Sequence, residues 1–264
     1  MFINRKNSKL IFRKVGMVPK RSLIPNTFTM SNMVFGFMAI IFASKGDPVS
    51  IGVAGVLIFM ASFFDFADGA AARALGVSSP IGVQLDSLAD GVAYGIAPGF
   101  IAYQAYFQKL PEIGMGLNWG MLIATILPIC AIYRLAKFNI VGVDRVGFKG
   151  LPSPIAGIFI ASFPVLPLSK TVFFGKIDFS LPIEVFVLIY ACVALLMISD
   201  IDYNKLFSDI IKKGKKAVII TIVTCILLLF YLQMWAVFIC SGLYIIFGIA
   251  REIYRIITRK PKTL

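Results

Sequence analysis

The chain has 264 residues, 59% of them hydrophobic, and a mean hydropathy of +0.88, which excludes a soluble domain built around one large core. Its 26 Lys and Arg against 13 Asp and Glu give a net charge of +13, yet no nucleic-acid-binding motif accompanies that charge. Histidine is absent, which rules out a phosphohistidine intermediate, and the four cysteines (Cys130, Cys192, Cys225, Cys240) all fall in apolar runs, which argues against a disulfide framework.

Residues 1–22 carry Arg5, Lys6, Lys9, Arg13, Lys14, Lys20 and Arg21 and no acid. They read as an interfacial amphipathic helix or as a basic leader, without the short apolar core of a cleavable signal. The expected fold class is an all-α polytopic membrane protein of about eight helices, spanning roughly 26–44, 48–75, 80–106, 118–138, 153–171, 182–199, 217–235 and 236–254. A count of six or seven stays open, because the last two spans are separated only near Gln233–Trp235. Eight spans with both termini cytoplasmic leave only Lys45, Lys109, Lys170 and Lys176 on the outer side. The remaining basic residues then ring the inner face, as the positive-inside rule requires and as anionic headgroups favour. Three segments follow from this division: 1–22 as a basic interfacial segment, 23–200 as a catalytic transmembrane core, and 201–264 as a basic loop, two further helices and a tail.

The first span opens Leu23-Ile-Pro25-Asn26-Thr27-Phe-Thr29-Met-Ser-Asn32, with Asn26 or Thr27 available to cap it. Asn26, Thr29, Asn32 and Gly36 extend a polar face into the membrane, where polar residues commonly bind a neighbouring helix.

The second and third spans carry the chemistry. Asp65, Asp68, Gly69 and Arg73 share one helical face, and so do Gly82, Asp86 and Asp90. Gly76-Val-Ser-Ser-Pro80 ends one helix and starts the next, so the two acidic faces converge. Each ionisable group at membrane depth costs roughly 2.5–3.5 kcal/mol, and four carboxylates demand compensation. Pairing with basic residues is the plain alternative, but only Arg73 lies within the hairpin. Two divalent ions would cancel the charge, and a purely oxygen ligand set favours Mg²⁺ or Mn²⁺. Such a pair suits phosphoryl transfer, because it stabilises both entering and leaving oxygens. From Pro48 to Asp65 is 17 residues, about 26 Å of helix, which puts the acids near the cytoplasmic edge of the bilayer.

Farther on, Gly95, Ala97 and Gly99 permit close helix approach, and Pro98 is expected to kink the third span. The fourth ends in Tyr133-Arg134-Leu-Ala-Lys137-Phe-Asn139, with Arg134 and Lys137 on one face at the same membrane edge as the acids. Gly150-Leu151-Pro152-Ser153-Pro154 opens the fifth, and Pro164 and Pro167 are expected to kink it. The Lys205–Lys216 loop and the tail read as cytoplasmic, and the last two spans as peripheral or as a dimer contact.

Asp65-x2-Asp68-Gly69-x2-Ala72-Arg73-x8-Gly82-x3-Asp86-x3-Asp90 resembles, position for position, the signature of the CDP-alcohol phosphotransferase family. The resemblance implies a membrane enzyme that moves a phosphatidyl-type group from a CDP-linked lipid to an alcohol and releases CMP. It further implies metal-binding Asp65, Asp68 and Asp86, with Asp90 as a ligand or as the catalytic general base. Gly69, Ala72 and Arg73 would contact the CDP moiety. The opening of the first span is similar to that of the serine-transferring branch, with Ile24 in place of Leu, which adds Asn26, Thr29 and Asn32 near the nucleotide. Leu85-Asp-Ser-Leu-Ala-Asp90, Gly95-Ile-Ala-Pro98 and the Arg134–Asn139 stretch are similar to that branch too, with Lys137 in place of a second Arg. On that resemblance the substrates are CDP-diacylglycerol and L-serine, whose carboxylate would be held by Arg134, Lys137 and Asn139. A homodimer in the cell (inner) membrane, with the site facing the cytoplasm, is expected. Glycerol 3-phosphate or inositol phosphate as acceptor, or an archaeal ether-linked donor, are the alternatives within the chemistry. A cation-coupled transporter is the alternative outside it, disfavoured by the absence of an inverted repeat and by acids at one edge instead of the midplane.

Overall fold

The computed structural model describes residues 20–77, 79–141, 149–168, 170–171, 175–176, 180–203 and 234–258. Most of the basic N-terminal segment, the loop from 204 to 216, Cys225 and nearly all of the expected seventh span lie outside the described residues.

The described chain is helical apart from two short antiparallel pairings, Glu112–Gly114 with Leu117–Asn118 and Lys170–Thr171 with Gly175–Lys176. Helix α1 (Leu23–Ala43) packs along α2 (Pro48–Leu75), which begins on Asp47: its side chain accepts from the Ser50 N–H at 2.8 Å. Hydrogen bonding from Ser50 holds the exposed Asp47 carboxyl below the usual carboxylate range. The start of α1 differs from expectation. Its cap position is Ser22, and the Thr27 hydroxyl instead donates back to the Leu23 carbonyl at 2.8 Å.

Helix α2 ends on Gly76 at φ +61, a left-handed conformation that glycine adopts without the Cβ penalty. The Val77 N–H then returns to the Ala72 carbonyl. Helix α3 (Pro80–Asp90) starts on Ser79, whose hydroxyl accepts from the Gly82 N–H at 2.9 Å. The hairpin closes as its Gly and Pro predict.

The third span is distorted, one turn earlier than expected. A π-helical segment over Gly91–Ile96 separates α3 from α4 (Ala97–Ala105). Pro98 lacks an N–H and its ring crowds the carbonyl four residues back, at Tyr94, so the turn ahead of it widens. Two glycines clamp the widened turn. A Cβ on Gly36 of α1 would sit 2.8 Å from the Ala93 Cα, and one on Gly157 of α7 (Ser153–Ser162) would sit 2.7 Å from the Tyr94 Cα.

The fourth span comprises α5 (Trp119–Ala124) and α6 (Ile126–Val141), and α7 continues as a 3₁₀ turn, Phe163–Leu168, with Pro167 inside it. Helices α8 (Ile183–Ile198) and α9 (Met234–Thr258) follow, and α9 packs on α7. Among the described residues four helices are long and apolar enough to cross a membrane: Leu23–Ala43, Pro48–Leu75, Trp119–Ile140 and Met234–Thr258. Large apolar side chains such as Phe37, Ile129, Leu188 and Ile246 point outward, as in a protein whose solvent is lipid. The chain is an all-α membrane protein.

Candidate active site

The hairpin brings its acids together. One carboxylate oxygen from each of Asp65, Asp68 and Asp86 lies within 4.8 Å of the other two. Asp90 is not in that trio, but it stands close enough to feel the charge of all three. Among the described residues none of these acids forms an ion pair with Lys or Arg, so the basic-partner explanation of the cluster has no contact behind it. Hard oxygen donors, mutual repulsion and partial exposure of Asp65 and Asp86 fit a hard divalent cation.

Each of three acids is gripped from outside its own pattern. The Thr29 hydroxyl of α1 donates to Asp68 Oδ2 at 2.7 Å, and lies 3.1 Å from the Pro25 carbonyl. Asn32 Nδ2, one turn along, donates to Asp90 Oδ1 at 3.1 Å. The Tyr94 hydroxyl donates to Asp65 Oδ2 at 3.3 Å. Asp68, Asp90, Thr29, Asn32 and Tyr94 are all buried, where such charge-assisted bonds are strongest.

A cleft of about 570 Å³ leads away from Asp68 and Asp86. Asn26 and Thr29 line one side, and Gly69, Ala72 and Arg73 the other. Glycine keeps it open at two points: a Cβ on Gly69 would come within 3.2 Å of Arg73 Nη1, and one on Gly82 within 3.2 Å of Asn26 Oδ1. Five of the six residues expected near the CDP moiety, all but Asn32, therefore border one cavity that ends on two of the clustered acids. Arg73 is the cation at its wall, within electrostatic range of Asp68.

The three residues expected to hold the acceptor part company. Arg134 turns inward: its Nη1 donates to Ser153 Oγ of α7 at 3.0 Å, and its charge interacts with Asp90. Asn139 ties α6 to α3, donating to Ser87 Oγ at 3.0 Å and to Gln84 Oε1 at 3.4 Å. Lys137 is exposed.

Residues 22–250 match the model of the CDP-alcohol phosphatidyltransferase family. The chain belongs to that family. Among relatives, it is 30% identical over 246 residues to a CDP-diacylglycerol–serine O-phosphatidyltransferase of Helicobacter pylori strain 26695, covering 91% of this chain and 97% of that one. It is 39% identical over 147 residues to the Bacillus subtilis protein of the same name, covering 55% and 78%. An archaetidylserine synthase of Methanothermobacter thermautotrophicus is 30% identical over 186 residues, covering 69% and 70%. The protein is thus a membrane enzyme of the CDP-alcohol phosphatidyltransferase class.

Around the family's signature hairpin, sequence reasoning missed Tyr94 and the contact of Asn32, expected near the nucleotide, with Asp90. A signal for Tyr94 exists: it stands four residues after Asp90, extending the row Gly82, Asp86, Asp90. Ser87 and Ser153 offered none, since serine is ordinary beside an acid and at the start of a helix.

Proposed function

We propose that this enzyme transfers the phosphatidyl group of CDP-diacylglycerol to the hydroxyl of L-serine, giving phosphatidylserine and CMP. One observation carries the reading: the Asp65, Asp68 and Asp86 carboxylates meet at the end of a cleft whose walls are the residues expected to bind CDP. The names of its relatives support serine as the acceptor.

Asp65, Asp68 and Asp86, with Asp90 as the fourth carboxylate, would hold two Mg²⁺ or Mn²⁺ ions. When bound, such ions neutralise pyrophosphate charge and stabilise the entering and leaving oxygens of a phosphoryl transfer. Asn26, Gly69 and Ala72 shape the slot for cytidine and pyrophosphate, and Arg73 balances negative charge on the departing CMP. Thr29 acts through Asp68. Asp90 takes the proton of the serine hydroxyl as its oxygen bonds to the phosphorus carrying diacylglycerol and the bond to the CMP oxygen breaks. Arg134, held by Ser153 within reach of Asp90's charge, receives the serine carboxylate. Asn139 sets the spacing of α6 from α3, and Lys137 adds positive charge at the rim. The core over 23–200 carries this chemistry at the cytoplasmic edge of the inner membrane, in a homodimer of eight-span protomers with both termini cytoplasmic.

The similarity to an archaetidylserine synthase favours a second reading, with the same acceptor and an ether-linked donor. Purified protein given Mg²⁺ or Mn²⁺, ester- or ether-linked CDP-lipid and one of serine, glycerol 3-phosphate or inositol phosphate tests both through CMP release. Serine-dependent release supports the proposal, and the better donor decides the lipid. Release only with a phosphorylated acceptor refutes it.

A further inference from the structure

Tyr94 is the one residue of the third span, beyond the signature, whose side chain donates to a clustered acid. Its side chain is completely buried, and its backbone lies in the π-helical turn clamped between Gly36 and Gly157. The wide turn rotates Tyr94 relative to a continuous α-helix, and such single wide turns recur at functional sites. The close approach of α1 at Ala93 and of α7 at Tyr94 holds the backbone from which the phenol reaches Asp65.

From this geometry we infer that Tyr94 is a positioning residue for Asp65, fixing the carboxylate so that it meets a divalent ion in a set orientation. The inference rests on the reading of Asp65 as a metal-holding residue. With Oδ2 engaged by the phenol, rotation of the carboxylate is restrained. Thr29 does the same for Asp68 from the opposite side, so the two acids of α2 are braced by different elements. Outer hydrogen-bond partners of metal ligands raise ligand basicity and order the site before the ion arrives.

The test uses the full chain in lipid nanodiscs and Mn²⁺ as probe, with free Mn²⁺ read by electron paramagnetic resonance. Tyr94→Phe keeps the ring and its packing and removes only the donor. The expected result is Mn²⁺ affinity roughly tenfold or more weaker, an unfolding temperature in EDTA that matches the unmodified protein, and an unchanged KM for serine. Saturating Mn²⁺ restores kcat. An unaltered Mn²⁺ affinity overturns the inference, and so does a kcat that stays low at saturating Mn²⁺ or a loss of affinity matched by a lower unfolding temperature. If the unmodified protein binds no Mn²⁺, it is the metal reading of the aspartates that fails.

Discussion

Thr29 and Asp68, separated by 39 residues, are joined by a buried 2.7 Å hydrogen bond. The bond fastens the polar face of α1 to the acidic face of α2, so the first helix is part of the carboxylate site and not only its neighbour. Thr29→Val should therefore lower CMP release by tenfold or more, since hydrogen bonds to charged groups contribute about 1.5–3 kcal/mol. Thr29→Ser, which keeps the hydroxyl, should stay within a few-fold of the parent, as read by steady-state CMP release across a metal titration.

Gly76 sets the turn that makes the two acidic faces converge. At φ +61 an alanine meets the left-handed penalty, so Gly76→Ala should destabilise the protein by about 1–2 kcal/mol. Gly76→Asn should cost less, because asparagine tolerates that region. Thermal unfolding in detergent, read by loss of helical signal, ranks the two.

Arg134 and Lys137 are three residues apart but face different surroundings. Arg134→Lys loses a planar fork beside Ser153 and should raise the serine KM about tenfold while leaving the KM for CDP-diacylglycerol alone. Lys137→Ala at the exposed rim should move the serine KM about twofold, and that effect should fade as salt screens it. Initial-rate kinetics at low and high salt separate the two contributions.

Asn32 reaches Asp90 alone among the described polar side chains of α1. Asn32→Leu should leave Asp90 buried without its donor and reduce kcat by at least tenfold, with binding of a non-hydrolysable CDP-lipid unchanged. Asn32→Asp should be worse, because it places a second acid against the first. Paired binding and turnover measurements on both variants check this.

The hairpin was legible in the sequence because local chemistry alone specifies it. Gly76 ends one helix and Pro80 starts the next, and the four-residue spacing of Gly82, Asp86 and Asp90 fixes one face. The cleft residues Gly69, Ala72 and Arg73 were legible through the resemblance to the family's signature, and all three line the cavity. Contacts between distant segments were not. Tyr94 meets Asp65 from within a π-helical turn, and Pro98 marks the cause of that turn without giving its position. Arg134 and Lys137 share a helical face by spacing, yet the packing of α7 half-buries one and leaves the other outside. Asn139 looked like an acceptor ligand and is engaged with Ser87 and Gln84, partners on a helix about fifty residues earlier.

The central claim is that the carboxylate trio of one helical hairpin works by holding divalent cations. CMP release from CDP-diacylglycerol and serine, measured in EDTA and then with Mg²⁺ or Mn²⁺ restored, tests it most directly in the unmodified protein and in Asp86→Asn. The account predicts no release in EDTA, full recovery on adding metal to the unmodified protein, and little or none in the variant. Undiminished release in EDTA, or full metal-stimulated activity in Asp86→Asn, would contradict it.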